Sequence, residues 1–379
     1  MVPTLGRPQR VVIKIGSSSL TSRHGEISLR KLEKLTAEIV CLKDAGYEVV
    51  LVSSGAVAAG YRKLGCSERP CSLPEKQAAA SIGQGLLMES YSKLFLSHGY
   101  IASQILITRS DFLDENRYKN VRNTLNVLLD RGIVPIVNEN DTVTSDRLRF
   151  GDNDTLSAKV AGLIDAEMLI ILSDIDGLYS ADPLKNTQAK PIRHVTAITP
   201  DIEAAAGGSV SAMGTGGMKS KIDAAKIAMA SGITIFLGNA SRKNIVSDAC
   251  LGRAKGTYFK SLQPAGNLNQ KKKWIAFNSG PEGEIWLHKE SQLAFIEEHK
   301  CLRFNDICKL SGHFSEGTVI RVMDTEGDEI GLGVVNISSK ELTRLIDLKT
   351  ERSQLTTTVM EWDDFVCNLD VPCLAGITN

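Results

Sequence analysis

The stretch Met168-Leu169-Ile170-Ile171-Leu172 is an unbroken apolar run, and the polar pair Ser173-Asp174 follows it at once. A strand with one face in water alternates apolar and polar residues, whereas a central strand of a parallel sheet is apolar on both faces. The run therefore predicts a central parallel strand that ends at a polar turn.

Other apolar runs surround this strand and are separated by segments in which apolar residues recur about every 3.6 residues. The predicted strands are residues 11–15, 49–52, 101–107, 133–137 and 233–237, and the helical patterns cover residues 29–42, 121–128 and 218–229. Pro135 weakens one of these strands, because proline cannot donate a hydrogen bond to the ladder. The alternation predicts an α/β fold in which helices cover both faces of a mostly parallel sheet.

The sequence changes character near residue 260. Residues 1–260 form the predicted α/β domain, and the Pro-, Gly- and Lys-rich residues 261–271 predict a linker. Residues 272–360 predict a small, mainly β domain, since two strand patterns flank a polar turn at residues 324–327. Residues 361–379 are predicted to form a tail, and residues 367–379 have no predicted role.

Composition excludes several classes of protein. The 44 Lys and Arg residues balance the 44 Asp and Glu residues, so the whole chain is not built to bind a polyanion. The eight cysteines form no C-x-x-C pair, which favours reduced thiols. No apolar run approaches the length of a membrane span. We therefore expect a cytoplasmic protein.

A glycine-rich turn precedes a helical pattern at Gly214-Thr215-Gly216-Gly217-Met218-Lys219-Ser220-Lys221. Small residues and the free N–H groups of a helix start can surround a phosphate, and lysines add positive charge. The segment matches neither a P-loop nor a dinucleotide fingerprint. A flexible loop with solvated lysines is the alternative interpretation.

Polar clusters also follow the other predicted strands. Lys14 lies within an apolar strand, where its charge requires a partner or an anion unless the side chain reaches water at an edge. The segment Asp152-Asn153-Asp154 precedes a helical pattern, and one of its members is predicted to cap that helix. Ligands bind beyond the carboxyl ends of parallel strands, so these clusters predict one binding site.

The complete set of motifs, in this order, resembles the glutamate 5-kinase family, which has the amino-acid kinase fold. The motifs are Lys14-Ile15-Gly16-Ser17-Ser18, Val52-Ser53-Ser54-Gly55-Ala56-Val57-Ala58-Ala59-Gly60, Val137-Asn138-Glu139-Asn140-Asp141, Gly151-Asp152-Asn153-Asp154-Thr155-Leu156-Ser157-Ala158, Asp176-Gly177-Leu178-Tyr179 and the glycine-rich turn. The region from about residue 272 resembles a PUA domain.

The resemblance implies transfer of the γ-phosphoryl group of ATP to the side-chain carboxylate of glutamate, with Mg²⁺ held mainly by phosphate oxygens and no protein ligand assigned to it. It implies that Lys14 and Lys221 flank the phosphates and that Asp154 orients both lysines. The implied glutamate ligands are Ser54, Asp141 and Asn153. The implied ATP ligands, besides Lys14, are Ser173, Asp174, Thr215, Gly216, Gly217, Met218, Lys219, Ser220 and Lys221.

The resemblance further implies inhibition by proline and a dimer or tetramer. Direct transfer of the acyl phosphate to a glutamyl-phosphate reductase partner is a separate hypothesis. Two alternatives stay open at this point. Another amino-acid kinase, acting on acetylglutamate, aspartate, carbamate or uridylate, would use similar phosphate-binding residues. An RNA-binding protein could use the lysines at 271–273 with Trp274 for charge and stacking, unless Trp274 is a core residue.

Overall fold

The computed structural model describes residues 9–22, 26–144, 150, 152–181, 183, 186–206, 217–260, 269–277, 281–347 and 357–368. The chain divides into two compact units. The first unit comprises Met1–Arg109 and Asn120–Gln263, and the second comprises Ser110–Lys119 and Pro264–Asn379. The predicted domain boundaries at residues 260 and 272 stay a prediction, because residues 261–268 lie outside the described part of the chain.

The first unit is built on a mostly parallel sheet. Its strands are β1 (Arg10–Ile15), β2 (Glu48–Ser53), β3 (Ala102–Ile107), β4 (Val134–Glu139), β5 (Met168–Ser173), β6 (Leu178–Tyr179), β7 (Pro191–Ile192), β8 (His194–Val195), β9 (Thr234–Asn239) and β10 (Gly256–Phe259). Eight of them form one sheet in the order β3-β4-β2-β1-β5-β9-β10-β8. Every neighbouring pair is parallel except β9 and β10.

The helices from α1 to α10 lie between these strands in the chain. They are α1 (Ser17–Leu20), α2 (Leu29–Asp44), α3 (Ala56–Gly60), α4 (Leu73–Ser97), α5 (Ser110–Leu113), α6 (Glu115–Asp130), α7 (Asn153–Leu163), α8 (Pro200–Ala206), α9 (Met218–Ala230) and α10 (Ile245–Cys250). The predicted helical patterns correspond to α2, α6 and α9. Leu29, predicted to face the core, is instead 61% exposed, so the buried stripe of α2 begins at Leu32.

The apolar run that predicted the fold is β5, which lies between β1 and β9 with all six residues buried. The prediction of a central parallel strand is therefore confirmed. Pro135 does lie in a strand, β4, one position from the edge of the sheet. The sheet accommodates it because the β2–β4 ladder begins at Ile136, after the proline.

The alternation of side chains in β1 determines where Lys14 lies. Val11, Ile13 and Ile15 belong to the core on one face of the sheet. Successive side chains of a strand project to opposite faces, so Lys14 lies on the other face. Helix α7 packs against β1 on that face, and its first turn provides the partner of Lys14.

The second unit contains a small sheet with the order β13-β11-β14-β15-β17. Its strands are β11 (Gly283–Leu287), β12 (Leu302–Arg303), β13 (Ile307–Gly312), β14 (Val319–Met323), β15 (Glu329–Val334), β16 (Thr358–Met360) and β17 (Phe365–Cys367), and its further helices are α11 (Gln270–Phe277), α12 (Lys289–Glu297) and α13 (Ser339–Asp347). The predicted hairpin is confirmed, since β14 and β15 pair in antiparallel fashion.

Two features of the second unit differ from the sequence predictions. Gln270 and Lys271, predicted to end the linker, lie in the first turn of α11. The predicted tail contains β17, which pairs with β15 and buries Phe365 and Val366 completely. The apolar run at 365–367 joins the core of the small sheet because it covers apolar side chains of that core.

Trp274 is a core residue of the second unit, with 1% of its surface exposed. Its indole N–H donates to the carbonyl of Phe112 at 2.9 Å. The interpretation of Trp274 as a stacking platform for RNA is therefore wrong, because neither ring face is open to a base. None of the described helices has both the length and the apolar character needed to cross a membrane.

Candidate active site

The centre of the site is one carboxylate shared by two lysines. Lys14 Nζ at the end of β1 lies 2.5 Å from Asp154 Oδ1, and Lys221 Nζ on α9 lies 3.0 Å from Asp154 Oδ2. All three side chains are at least nine-tenths buried. The structure thus brings together the three residues that the sequence assigned to phosphate chemistry.

The first turn of α7 holds Asp154 in place. Asp152 caps this helix, since its carboxylate accepts a hydrogen bond from the Thr155 N–H at 2.8 Å. The predicted helix cap in the Asp152-Asn153-Asp154 segment is therefore Asp152. Burial alone would raise the pKa of Asp154, but the positive charges of Lys14 and Lys221 outweigh it and lower that pKa to about 2. Asp154 is ionised throughout the neutral pH range.

Ser220 adds a third donor to the same carboxylate. Its hydroxyl lies 2.9 Å from Asp154 Oδ2 and 2.9 Å from the carbonyl of Gly217. A hydroxyl has one proton, so it donates to one of these oxygens at a time. The sequence assigned Ser220 to ATP, whereas its described contact is with Asp154.

The glycine-rich turn is described only from Gly217 onward. Gly217 caps α9 and Met218 is the first residue of that helix, while Thr215 and Gly216 lie outside the described residues. Lys219 is exposed on the first turn, unlike the buried Lys221. Of the two lysines in this motif, Lys221 is the one that binds Asp154.

A second polar cluster forms around Asn153, the residue before Asp154. Its side-chain nitrogen lies 2.9 Å from Ser54 Oγ, 2.7 Å from the Ser53 carbonyl and 2.9 Å from Asn138 Oδ1. These residues stand at the carboxyl ends of β2 and β4 or just beyond them. The structure thus brings together Ser54 and Asn153, two of the three residues that the sequence assigned to glutamate.

Asp141, the third of these residues, lies half-buried in the turn that follows β4. This turn follows the strand next to β2, whose carboxyl end carries Ser54. A substrate with separated polar groups can reach both places, because the loop and the cluster follow the same edge of the sheet.

The sequence missed two members of the Asn153 cluster. Asn138 accepts from Asn153 and donates to Gln84 Oε1 at 2.9 Å. Asn138 stands in the motif that ends β4, so its position at a strand end was a usable signal. Gln84 lies within the long helix α4, and nothing in the local sequence distinguishes it from a surface glutamine.

Ser173 and Asp174 follow the central strand β5. Ser173 is buried and its hydroxyl lies 3.1 Å from Asp174 Oδ1, while Asp174 itself is exposed. Ser173 is in register with Asn239 of the neighbouring strand β9. These residues form a polar edge on the side of β5 away from β1.

The described residues contain no group of three or more His, Cys, Asp and Glu side chains that could hold a metal ion. Asp154 is unsuited to bind a metal directly, because Lys14, Lys221 and Ser220 already occupy its oxygens.

The arrangement suits the transfer of an anionic group. Two ammonium groups contact the same carboxylate in a buried site. A positioned cation in such a site stabilises charge that develops on a transferred phosphoryl group. The Asn153 cluster lies one residue away and offers hydrogen-bonding groups to a second, polar molecule. These features favour a phosphoryl-transfer reaction at this site.

Comparison with protein families identifies the class. The model of the amino acid kinase family matches residues 9–239, and the model of the PUA domain matches residues 283–353. A solved carbamate kinase from Giardia lamblia, bound to AMP-PNP, superposes with a TM-score of 0.50 at 18% identity. That match covers 67% of this chain and 99% of the other, and it supports the fold alone.

Individual relatives narrow the class further. The Glutamate 5-kinase 2 of Bacillus licheniformis is 63% identical over 364 residues, which cover 96% of this chain and 98% of that protein. The Glutamate 5-kinase of Moorella thermoacetica is 42% identical over 346 residues, which cover 91% of each chain. The chain belongs to the amino acid kinase family and, within it, to the glutamate 5-kinases, with a PUA domain at its carboxyl end.

Proposed function

We propose that this protein transfers the γ-phosphoryl group of ATP to the side-chain carboxylate of L-glutamate and forms L-glutamyl 5-phosphate, the first step of proline biosynthesis. The observation that carries the proposal is the direct adjacency of two clusters. Lys14, Asp154 and Lys221 form a cationic group, and Asn153 with Ser54 forms a polar group at the next position of the same helix turn. The identity to glutamate 5-kinases over nearly the whole chain supports the choice of acceptor.

The acceptor carboxylate is already an anion at neutral pH, so the reaction requires no general base. The difficulty is to bring two anions together and to stabilise charge on the transferred group. In our proposal Lys14 and Lys221 contact the phosphates and follow this charge into the transition state. Asp154 fixes the position of both ammonium groups and does not itself accept a proton.

The glutamate ligands in the proposal are Ser54, Asp141 and Asn153. Asn153 and Ser54 offer hydrogen bonds to the substrate carboxylates, and the side chain of Asp141 is a partner for the substrate ammonium. Ser173 and Asp174 lie at the nucleoside end of ATP. Gly217, Met218, Lys219 and Ser220 lie along its phosphates, together with Thr215 and Gly216 from the undescribed part of the turn.

Mg²⁺ enters as part of the substrate, bound to ATP. The donor set agrees with this, since Asp154 is occupied by its lysines and phosphate oxygens with water satisfy Mg²⁺ well. We further propose inhibition by proline, assembly into a dimer or tetramer, transfer of the labile acyl phosphate to a glutamyl-phosphate reductase, and a cytoplasmic location. These proposals rest on membership of the family.

The test is ADP release with MgATP and a panel of acceptors. The panel contains L-glutamate, L-aspartate, N-acetyl-L-glutamate, carbamate, UMP and no acceptor. The proposal predicts release that depends on glutamate alone and falls when proline is added. Release with a different acceptor would keep the phosphate-binding residues and overturn the roles of Ser54, Asp141 and Asn153.

A further inference from the structure

Helix α2 holds the segment Asn239–Val246, which begins at the last residue of strand β9. Lys34 is the main contact, because its ammonium donates to three consecutive carbonyls, those of Ala240, Ser241 and Arg242, at 3.0, 2.7 and 2.7 Å. An ammonium group has three N–H donors, so all of its hydrogen bonds are used on this segment.

Glu38, one turn further along α2, holds the far end of the same segment. Its buried carboxylate accepts from the Val246 N–H at 2.8 Å, at the start of α10. Asn244, two residues before Val246, has a left-handed backbone with a φ of 58°. Lys34 and Glu38 therefore fix the carbonyls and the amides of one segment from one helix face, since residues four apart are neighbours on a helix.

The other side of the segment holds the turn that follows β5. The Ala240 N–H donates to the Ser173 carbonyl at 2.8 Å, and the Asn239 side chain donates to the Asp174 carbonyl at 3.3 Å. Arg242 forms a two-point ion pair with Asp176, at 2.6 and 3.2 Å. Three positions of the turn, Ser173, Asp174 and Asp176, thus contact the segment that α2 fixes.

We propose that Lys34 is a positioning residue for nucleotide binding: by fixing Asn239–Val246 it sets the Ser173–Asp176 turn at the nucleoside end of ATP. The inference rests on the proposed function, which assigns Ser173 and Asp174 to ATP. Lys34 itself touches backbone carbonyls and not the substrate. In this proposal Lys34 governs nucleotide affinity, while the cationic group of Lys14, Asp154 and Lys221 governs turnover.

The test is calorimetric titration of ADP into full-length Lys34→Met, with KM and kcat measured for both substrates. Loss of three charged hydrogen bonds is expected to raise the Kd for ADP and the KM for ATP by about five- to tenfold. The kcat and the KM for glutamate should stay within about twofold, a split that general destabilisation would not produce. Lys34→Arg should recover most of the affinity, because guanidinium N–H groups can reach at least two of the carbonyls.

The matched control is Lys43→Met, a half-buried lysine at the other end of α2 that lies over the Tyr100 ring. This variant should bind ADP as the wild type does. A second variant, Arg242→Met, removes the ion pair on the other side of the segment and is expected to weaken ADP binding. It takes the place of Lys34→Met in the test if Lys34→Met does not fold. Its half-exposed side chain makes it the safer substitution.

The outcomes separate this inference from the proposed function. Unchanged ADP affinity in Lys34→Met, or in Arg242→Met where only that variant folds, would overturn the inference even if the wild type phosphorylates glutamate. A loss of kcat at constant ADP affinity would overturn it as well, and so would a wild type that does not bind ADP. If Lys34→Met binds ADP more weakly but the wild type does not phosphorylate glutamate, the inference stands and the proposed function is wrong.

Discussion

Asn153 and Asp154 are consecutive residues in the first turn of α7, yet their side chains join different clusters. Asn153 donates to Ser54 Oγ at 2.9 Å, whereas Asp154 binds Lys14 at 2.5 Å. Successive residues of an α-helix are rotated by about 100°, so one turn can serve both sides of a site. In the proposed function the two substrates meet at α7, so we expect the two residues to have separable kinetic effects.

Substitution of Lys221 should reduce turnover far more than glutamate binding. Lys221→Ala removes one of two cations at the transferred group, so we expect kcat to fall by about 10²–10³, the loss typical of one charge-stabilising donor. The KM for glutamate should stay within about twofold. Steady-state kinetics with each substrate varied would check this.

Lys219→Ala is the informative comparison, because Lys219 is the exposed lysine of the same motif. We expect its main effect to be a rise of about two- to fivefold in the KM for ATP, as for a solvent-exposed charge near a phosphate. If Lys219→Ala lowered kcat more than Lys221→Ala does, the assignment of the transfer step to Lys221 would be wrong.

Asp154 should contribute to stability in a pH-dependent way. Its pKa is about 2 in the folded protein and 3.8 is its usual value, so the folded state favours the ionised form. The contribution is complete above pH 4, is lost as the pH falls toward 2, and amounts to about 2 kcal/mol at neutral pH. Chemical unfolding of wild type and Asp154→Asn at pH 7 and at decreasing pH would measure it.

Asp154→Asn should be less stable at pH 7, and its difference from wild type should shrink between pH 4 and pH 2. The variant leaves two buried lysines without a charged partner, which typically costs about 3–5 kcal/mol. If the difference in the free energy of unfolding stayed constant across this range, the two lysines would not be lowering the pKa of Asp154. The kcat of the folded variant should also fall, since both ammonium groups lose their position.

Asn153 should affect glutamate rather than ATP. Asn153→Ala removes a donor that lies within 2.9 Å of three acceptors, and we expect the KM for glutamate to rise by about tenfold or more. The KM for ATP should stay within about twofold. Asn336→Ala, at an exposed asparagine of the second unit, is the matched control. Equal rises in both KM values would argue for a general loss of structure in place of a role in glutamate binding.

The second unit should depend on the strand that lies in the predicted tail. Phe365 is fully buried against Phe295 and Trp362, so Phe365→Ala should reduce the free energy of unfolding by about 3–5 kcal/mol. Asp363→Ala, at an exposed position two residues earlier, should change it by less than about 0.5 kcal/mol. Denaturant unfolding would compare the two, and equal stabilities would place residues 365–367 outside the core.

The main sheet was predictable because its interior strands carry strong local signals. Five apolar residues in a row at 168–172 have one stable environment, a strand covered on both faces. Lys14 was predictable for the opposite reason, since a charge in such a strand needs a partner. The family motifs then supplied Asp154 and Lys221, and their contacts with Lys14 follow from the meeting of β1, α7 and α9.

Contacts that depend on tertiary packing could not be predicted. Gln84 and Asn138 join the Asn153 cluster because α4 and β4 meet beside it, and no local pattern in α4 marks Gln84. Lys34 has the sequence context of a surface lysine on an amphipathic helix, and only the position of β9 makes it a donor to a loop 206 residues away. The short strand at 365–367 was hidden by its small size and its place near the chain end.

The central claim is that the side-chain carboxylate of glutamate receives the phosphoryl group. Hydroxylamine converts acyl phosphates to stable hydroxamates, so the direct measurement is trapping with MgATP and L-glutamate followed by mass-spectrometric identification of the hydroxamate. Our account predicts glutamyl 5-hydroxamate, formed only when ATP and glutamate are both present. Exclusive formation of the 1-hydroxamate, or of none by folded protein that binds ADP, would contradict it.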